Sequence, residues 1–207
     1  AQTKSINFQL SLNGQPLELG KNYFLPSIQD SIQVDAFRIY LSDVTFFRGN
    51  EKLGTANKQH ILLDAETPSS LKLEVSAVER ADRVRFQVGI DSVTNMAGAM
   101  GGDLDPTNGM YWTWQSGYIN LKLEGSSPSC PARKNQFQYH IGGYQAPNKT
   151  SQQVELSLES GDNLVIDIAM ERFLEQVDIR QTYQVMSPNA QAVALSRLIP
   201  SMFSIHR

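Results

Sequence analysis

Apolar residues recur at every second position in one short run after another, and this alternation limits the chain to strand-rich folds. In "SINFQLSLNG", Ile6, Phe8, Leu10 and Leu12 share one side, polar residues take the other, and the run stops at Asn13-Gly14. Successive side chains of an extended chain point to opposite faces, so the pattern predicts a strand with one buried face ending in a turn pair. "SIQVDAFRIYLSDVTFF" carries Ile32, Val34 and Ala36, then Phe37, Ile39 and Leu41. That change of phase predicts a bulge or bend near Asp35-Ala36, where the chain is expected to cross from one sheet to another. Further runs stand at "HILLD", "LKLEVS", "RVRFQVGI", "YINLKLEG", "NQFQYHIGG", "QVELSLES" and "NLVIDIAM". About nine strands by this pattern predict an all-β fold, β-sandwich-like with two antiparallel sheets. At 207 residues and 41% hydrophobic content, one domain over 1–207 with its own core is the expectation.

Helical spacing enters late. In "SPNAQAVALSRLIPSMF", Ser187 is the expected N-cap and Pro188 the first helical residue, with Ala190, Val193, Ala194 and Leu198 on one stripe. This predicts a C-terminal helix of about three turns from Pro188 to Leu198, ending near Pro200. "MERFLEQVD" predicts a short helix, and "SVTNMAGAMGG" one more turn.

Charge and motifs remove several function classes. The formal charge is -3 with scattered Lys and Arg, which leaves no basic face for a phosphate backbone, so nucleic acid is not an expected partner. No run reaches the roughly 18 apolar residues of a membrane-spanning segment. The opening Ala1-Gln2 fits a chain from which a signal peptide was removed. Cys130, in "SSPSCPARK", is the single cysteine and excludes an internal disulfide. There is no Gly-x-Ser-x-Gly elbow, His-Glu-x-x-His helix or phosphate loop, so the chain is not expected to be an enzyme.

Four groups of residues can carry binding chemistry. Asp103, Asp105 and Asn108 in "GDLDPTNG" cluster oxygen atoms suited to calcium, although such turns commonly satisfy their own backbone. His140 in "NQFQYHIGGY" falls on the opposite face from Phe137, Tyr139 and Ile141, and the two glycines after it permit close approach of another group. Met110 flanks the tryptophans and Met186 the C-terminal helix; thioether sulfur suits copper(I), while methionine also fills irregular core space. Finally, Trp112 and Trp114, the only two tryptophans, stand one residue apart in "GMYWTWQSGY". One is expected to anchor a core and the other to stay accessible.

Taken in order, "FRIYLSDVTF", "HILLDAETPSSL", "VRFQVGIDSVTN", "GDLDPTNGMYWTWQSGYINLKLEG", "FQYHIGGY" and "RFLEQVD" resemble successive blocks of the MbnP-like domain family, which takes in CorA and the C-terminal domain of MopE. The resemblance implies a periplasmic or secreted protein, in some cases attached to the cell surface, with a β-sandwich-like fold. It also implies copper binding with histidine help and a tryptophan, Trp112 or Trp114, oxidised to kynurenine by a periplasmic di-haem enzyme of the MbnH type. Ring opening turns a donor-only indole into an aromatic amine and a carbonyl, which can ligate metal. The sequence departs from the family's ligand pattern. Relatives of the MopE type place a histidine two residues after the modified tryptophan, whereas here Trp114 follows Trp112 and Ser116 follows Trp114. Met186, in "YQVMSPNA", stands in the neighbourhood of the second family histidine. Two function classes follow: a copper-binding exported protein, and a β-sandwich interaction or adhesion module that binds no metal.

Overall fold

The computed structural model describes residues 4–75, 80–113, 115–159 and 164–206. Its strands are β1 (Lys4–Leu12), β2 (Gln15–Pro16), β3 (Asn22–Leu25), β4 (Asp30–Arg48), β5 (Glu51–Thr55), β6 (His60–Asp64), β7 (Lys72–Val75) and β8 (Arg83–Val88). They continue with β9 (Tyr111–Thr113), β10 (Gly117–Ser126), β11 (Gln136–Gly142), β12 (Gln152–Ser157), β13 (Leu164–Ala169), β14 (Gln184–Val185) and β15 (Phe203–Ile205). Three short helices are α1 (Ser92–Ala97), α2 (Glu171–Leu174) and α3 (Ala190–Ser196).

Two sheets face each other across the core. The smaller has five strands in the order β15-β13-β1-β2, with β7 also on β1. The larger has ten and curls into a half-barrel around β4, which pairs with β3, β5, β6, β8 and β10. Pairing is mainly antiparallel, but β1 runs parallel to β13 and β11 parallel to β14, so both sheets are mixed. All the long runs of alternation are strands; β9, β14 and β15 are too short to show a period.

The first hairpin is built by its turn chemistry. Asn13 and Gly14 have φ of 54° and 70°, the conformation a two-residue turn needs when its twist must match the flanking strands. Ile6, Phe8, Leu10 and Leu12 are all buried against the other sheet. The phase change in β4 is a bulge: Val34 lies opposite Gly125 and Ala36 opposite Glu124, leaving Asp35 as the extra residue. A second shift falls between Ser42 and Thr45, where Asp43 has φ of 54°. These bulges bend β4 within one sheet; it does not cross to the other. Curvature thus replaces the expected crossing.

The C-terminal helix is shorter than its spacing predicts. Asn189, not Ser187, is the N-cap, its side chain accepting from the Ala192 amide at 2.8 Å. The buried face is Ala192, Leu195 and Ser196, two residues out of phase with the expected stripe of Ala190, Val193, Ala194 and Leu198. Pro200 sits in a 3-10 turn, Ile199–Met202, that leads into β15.

A second, smaller core lies on the outer face of the larger sheet. Ile39 and Leu41 point inward, so Tyr40 between them points outward. There it packs with Ile90, Leu104, Met110, Tyr118 and Ile119, and Trp112 leans on the group. The Gly101–Met110 segment covers it: the Tyr40 hydroxyl donates to the Asp103 carbonyl at 2.7 Å and the Tyr118 hydroxyl to the Leu104 carbonyl at 2.9 Å. Tyr40 and Tyr118 meet edge to face at 5.9 Å, an arrangement that adds about 0.5–1.5 kcal/mol to the burial itself.

Candidate functional site

The outer face next to this small core gathers residues from distant parts of the chain. Lys122 of β10 is paired with His140 of β11 on one side and Arg38 of β4 on the other. Across β11, the parallel pairing of Gln138 with Gln184 and Tyr139 with Val185 ends one residue before Met186, as it ends one residue before His140. Val185 is buried, while the Gln184 amide donates to the Met186 sulfur at 3.6 Å, so both side chains lie on the outer face. Met186 is 40% exposed.

Trp112 reaches the same face from above. A Cβ at Gly142, two residues along β11 from His140, would lie 2.8 Å from Cζ3 of Trp112 and 3.1 Å from Cη2. Only a glycine admits the six-membered ring there. At Gly143, φ is 131° and a Cβ would lie 2.1 Å from the Asn148 carbonyl oxygen. Both glycines of "HIGG" therefore serve close approach, Gly142 to the Trp112 ring and the Tyr118 carbonyl and Gly143 to the Asn148 carbonyl.

His140 is 6% exposed, and its Nε2 lies 2.5 Å from Oε1 of Glu124. The hydrogen bond from His140 holds the Glu124 carboxyl below the usual carboxylate range; burial opposes this, and attraction to His140, Lys122 and Arg38 adds to it. Burial lowers the Lys122 ammonium from its ordinary value, and its Nζ donates to the Gly109 carbonyl at 2.5 Å. Arg38 pairs with Asp64 at 3.0 Å and Glu66 at 2.5 Å.

The other expected residues have different surroundings. Met110 is fully buried in the outer core, its carbonyl accepting from the Ile119 amide at 2.8 Å. Trp114 lies outside the described residues. Asp103 accepts from Lys58 at 2.9 Å and from the Leu62 amide at 3.1 Å, while Asp105 caps the 3-10 turn Pro106–Asn108 through Thr107. Asn108 donates to the carbonyls of Gly102 and Asp103. The carboxylates of Asp103 and Asp105 thus face separate partners. Among the described residues no three His, Cys, Asp or Glu side chains form a group able to hold a metal ion. Cys130 is buried, its thiol donating to the Gln136 carbonyl at 3.2 Å.

Two residues escape the sequence reading. Glu124 is one; it alternates outward on β10 as His140 does on β11, but their proximity depends on a strand pairing that alternation alone does not specify. His60 is the other. It joins β4 to the cap of α1, with Nδ1 2.8 Å from Ser42 Oγ and Nε2 3.5 Å from Asp91 Oδ2. Burial tends to raise the Asp91 carboxyl, but Thr94 and His60 outweigh it and hold the group below its ordinary range.

Among the described residues no helix is long and apolar enough to cross a membrane. No curated protein matches the sequence. Among solved structures, MbnP from Methylosinus trichosporium has a similar fold, with a TM-score of 0.64 and 16% identity over 93% of this chain and 86% of that one. The sequence model of the MbnP family matches residues 1–187, most of the chain, and the chain belongs to that family.

Proposed function

We propose that this is an exported, periplasmic or secreted, copper-binding protein whose site is the outer-face cluster of Trp112, His140 and Met186. The observation that supports it is the common face of β11: the Trp112 ring lies against Gly142, two residues from His140, and Met186 directly follows Val185, the partner of Tyr139. One imidazole and one exposed thioether are donors that copper(I) accepts. Met110, sealed in apolar surroundings, is not part of the set.

Two protein donors make a sparse site. Oxidation of Trp112 to kynurenine by a di-haem partner of the MbnH type adds to it. Cleavage of the indole C2–C3 bond brings in two oxygen atoms, and hydrolytic loss of the former C2 as formate leaves a ketone and an aromatic amine. The oxidising equivalents come from the haem partner. His140 and Met186 would then hold copper together with the amine of the altered Trp112.

The alternative is a protein-binding module. One observation favours it: Val93, Met96 and Met100, in α1 and the loop that leaves it, are 79%, 73% and 47% exposed. A copper(I) titration against a competing chelator separates the readings, using protein made alone and protein made with the haem partner. Copper binding tightens in the second preparation and weakens in both Trp112→Phe and His140→Ala. Undetectable binding in both preparations rejects the copper reading and leaves the interaction module.

A further inference from the structure

His140 has two ring nitrogens, and its surroundings treat them differently. Nε2 faces Glu124 Oε1 at 2.5 Å. Nδ1 makes no hydrogen bond to another described residue. A carboxylate only accepts hydrogen bonds, and therefore the short contact requires the proton on Nε2. The lone pair of the neutral ring is then on Nδ1.

Neighbouring cations attract this carboxylate but make their short contacts with other groups. Lys122 is engaged by the Gly109 carbonyl and Arg38 by Asp64 and Glu66. Glu124 forms its hydrogen bond with His140. Its backbone is fixed at the bulge in β4, where Glu124 is paired with Ala36 and Gln138.

We propose that Glu124 is a positioning residue that selects the His140 tautomer and presents Nδ1 as the metal-binding nitrogen. This rests on the copper reading of the same face. Histidines that bind metal commonly donate their other ring N–H to a carboxylate, which fixes the ring and raises its basicity; loss of such partners weakens metal binding roughly 10–100-fold.

The test has one arm without metal and one with it. In metal-free protein labelled with 15N-histidine, long-range 15N–1H correlation spectra identify His140 Nε2 as the protonated nitrogen. Glu124→Ala populates both tautomers, whereas Glu124→Gln keeps the Nε2–H form because its carbonyl oxygen still accepts. Copper(I) competition titrations of protein made with the haem partner follow the same order: roughly 10–100-fold weaker for Glu124→Ala, close to the parent for Glu124→Gln. A protonated Nδ1 in the parent protein overturns the proposal. So does unchanged affinity in Glu124→Ala when His140→Ala loses binding, a pattern that leaves the copper reading intact. Unchanged affinity in His140→Ala removes the histidine from the site and defeats both.

Discussion

Trp112 rests its six-membered ring on Gly142, at a place where a Cβ would stand 2.8 Å from Cζ3 and 2.7 Å from the Tyr118 carbonyl oxygen. One of those neighbours is backbone and cannot turn aside. Gly142→Ala is therefore expected to displace the indole and to lower stability by about 1–3 kcal/mol, the usual cost of overpacking. Urea denaturation reads the loss, and a shift in tryptophan emission reads the displaced ring. An alanine variant with parent stability and emission would show that the ring is not held there.

The C-terminal helix offers a test of its true start. Asn189→Ala removes the acceptor for the Ala192 amide and is expected to cost about 1 kcal/mol, the typical loss of an N-cap. Ser187→Ala lies outside the helix and is expected to leave stability within about 0.5 kcal/mol of the parent. Thermal or urea unfolding of the two variants side by side decides between the caps.

How far the sequence carries the fold depends on how local each signal is. The inward face of β1 and the bulge at Asp35 are legible, because period-two alternation and its change of phase are properties of neighbouring residues. Parallel pairing of β1 with β13 joins distant segments, and no local pattern encodes it. Ser187 and Asn189 are both good caps flanking Pro188, so composition alone leaves two starts for the helix; packing of Ala192 and Leu195 selects the second. The site divides in the same way. His140 and Trp112 stand out by residue type and setting, while Glu124 becomes visible only when β10 lies beside β11, and Met186 comes to the edge of β11 only through β14.

Acid sensitivity should be traceable to Asp30. This residue is 8% exposed; Ser31 donates its amide to Oδ1 at 2.9 Å, and Ser127 donates its hydroxyl to Oδ2. Burial raises the carboxyl, but the hydrogen bonds from Ser127, Ser129 and Ser31 prevail and hold it below its ordinary value. A folded-state value below the unfolded one, near 3.9, means stability that is fully present above about pH 4 and is lost as pH falls through the folded value. Asp30→Asn should be less stable than the parent by about 1–3 kcal/mol at neutral pH, with the gap closing under acid. Urea denaturation across a pH series measures that gap, and a gap independent of pH would contradict the assignment.

X-ray absorption at the copper edge tests the central claim, that imidazole and thioether from this face bind the metal together. The protein is loaded with copper(I) after production with a di-haem enzyme of the MbnH type, and its scattering is compared with that of Met186→Leu and His140→Ala. The account predicts one sulfur neighbour with nitrogen neighbours around the metal, the sulfur lost in Met186→Leu and a nitrogen lost in His140→Ala. Spectra without sulfur, or spectra that neither substitution changes, would place the copper elsewhere and contradict the account.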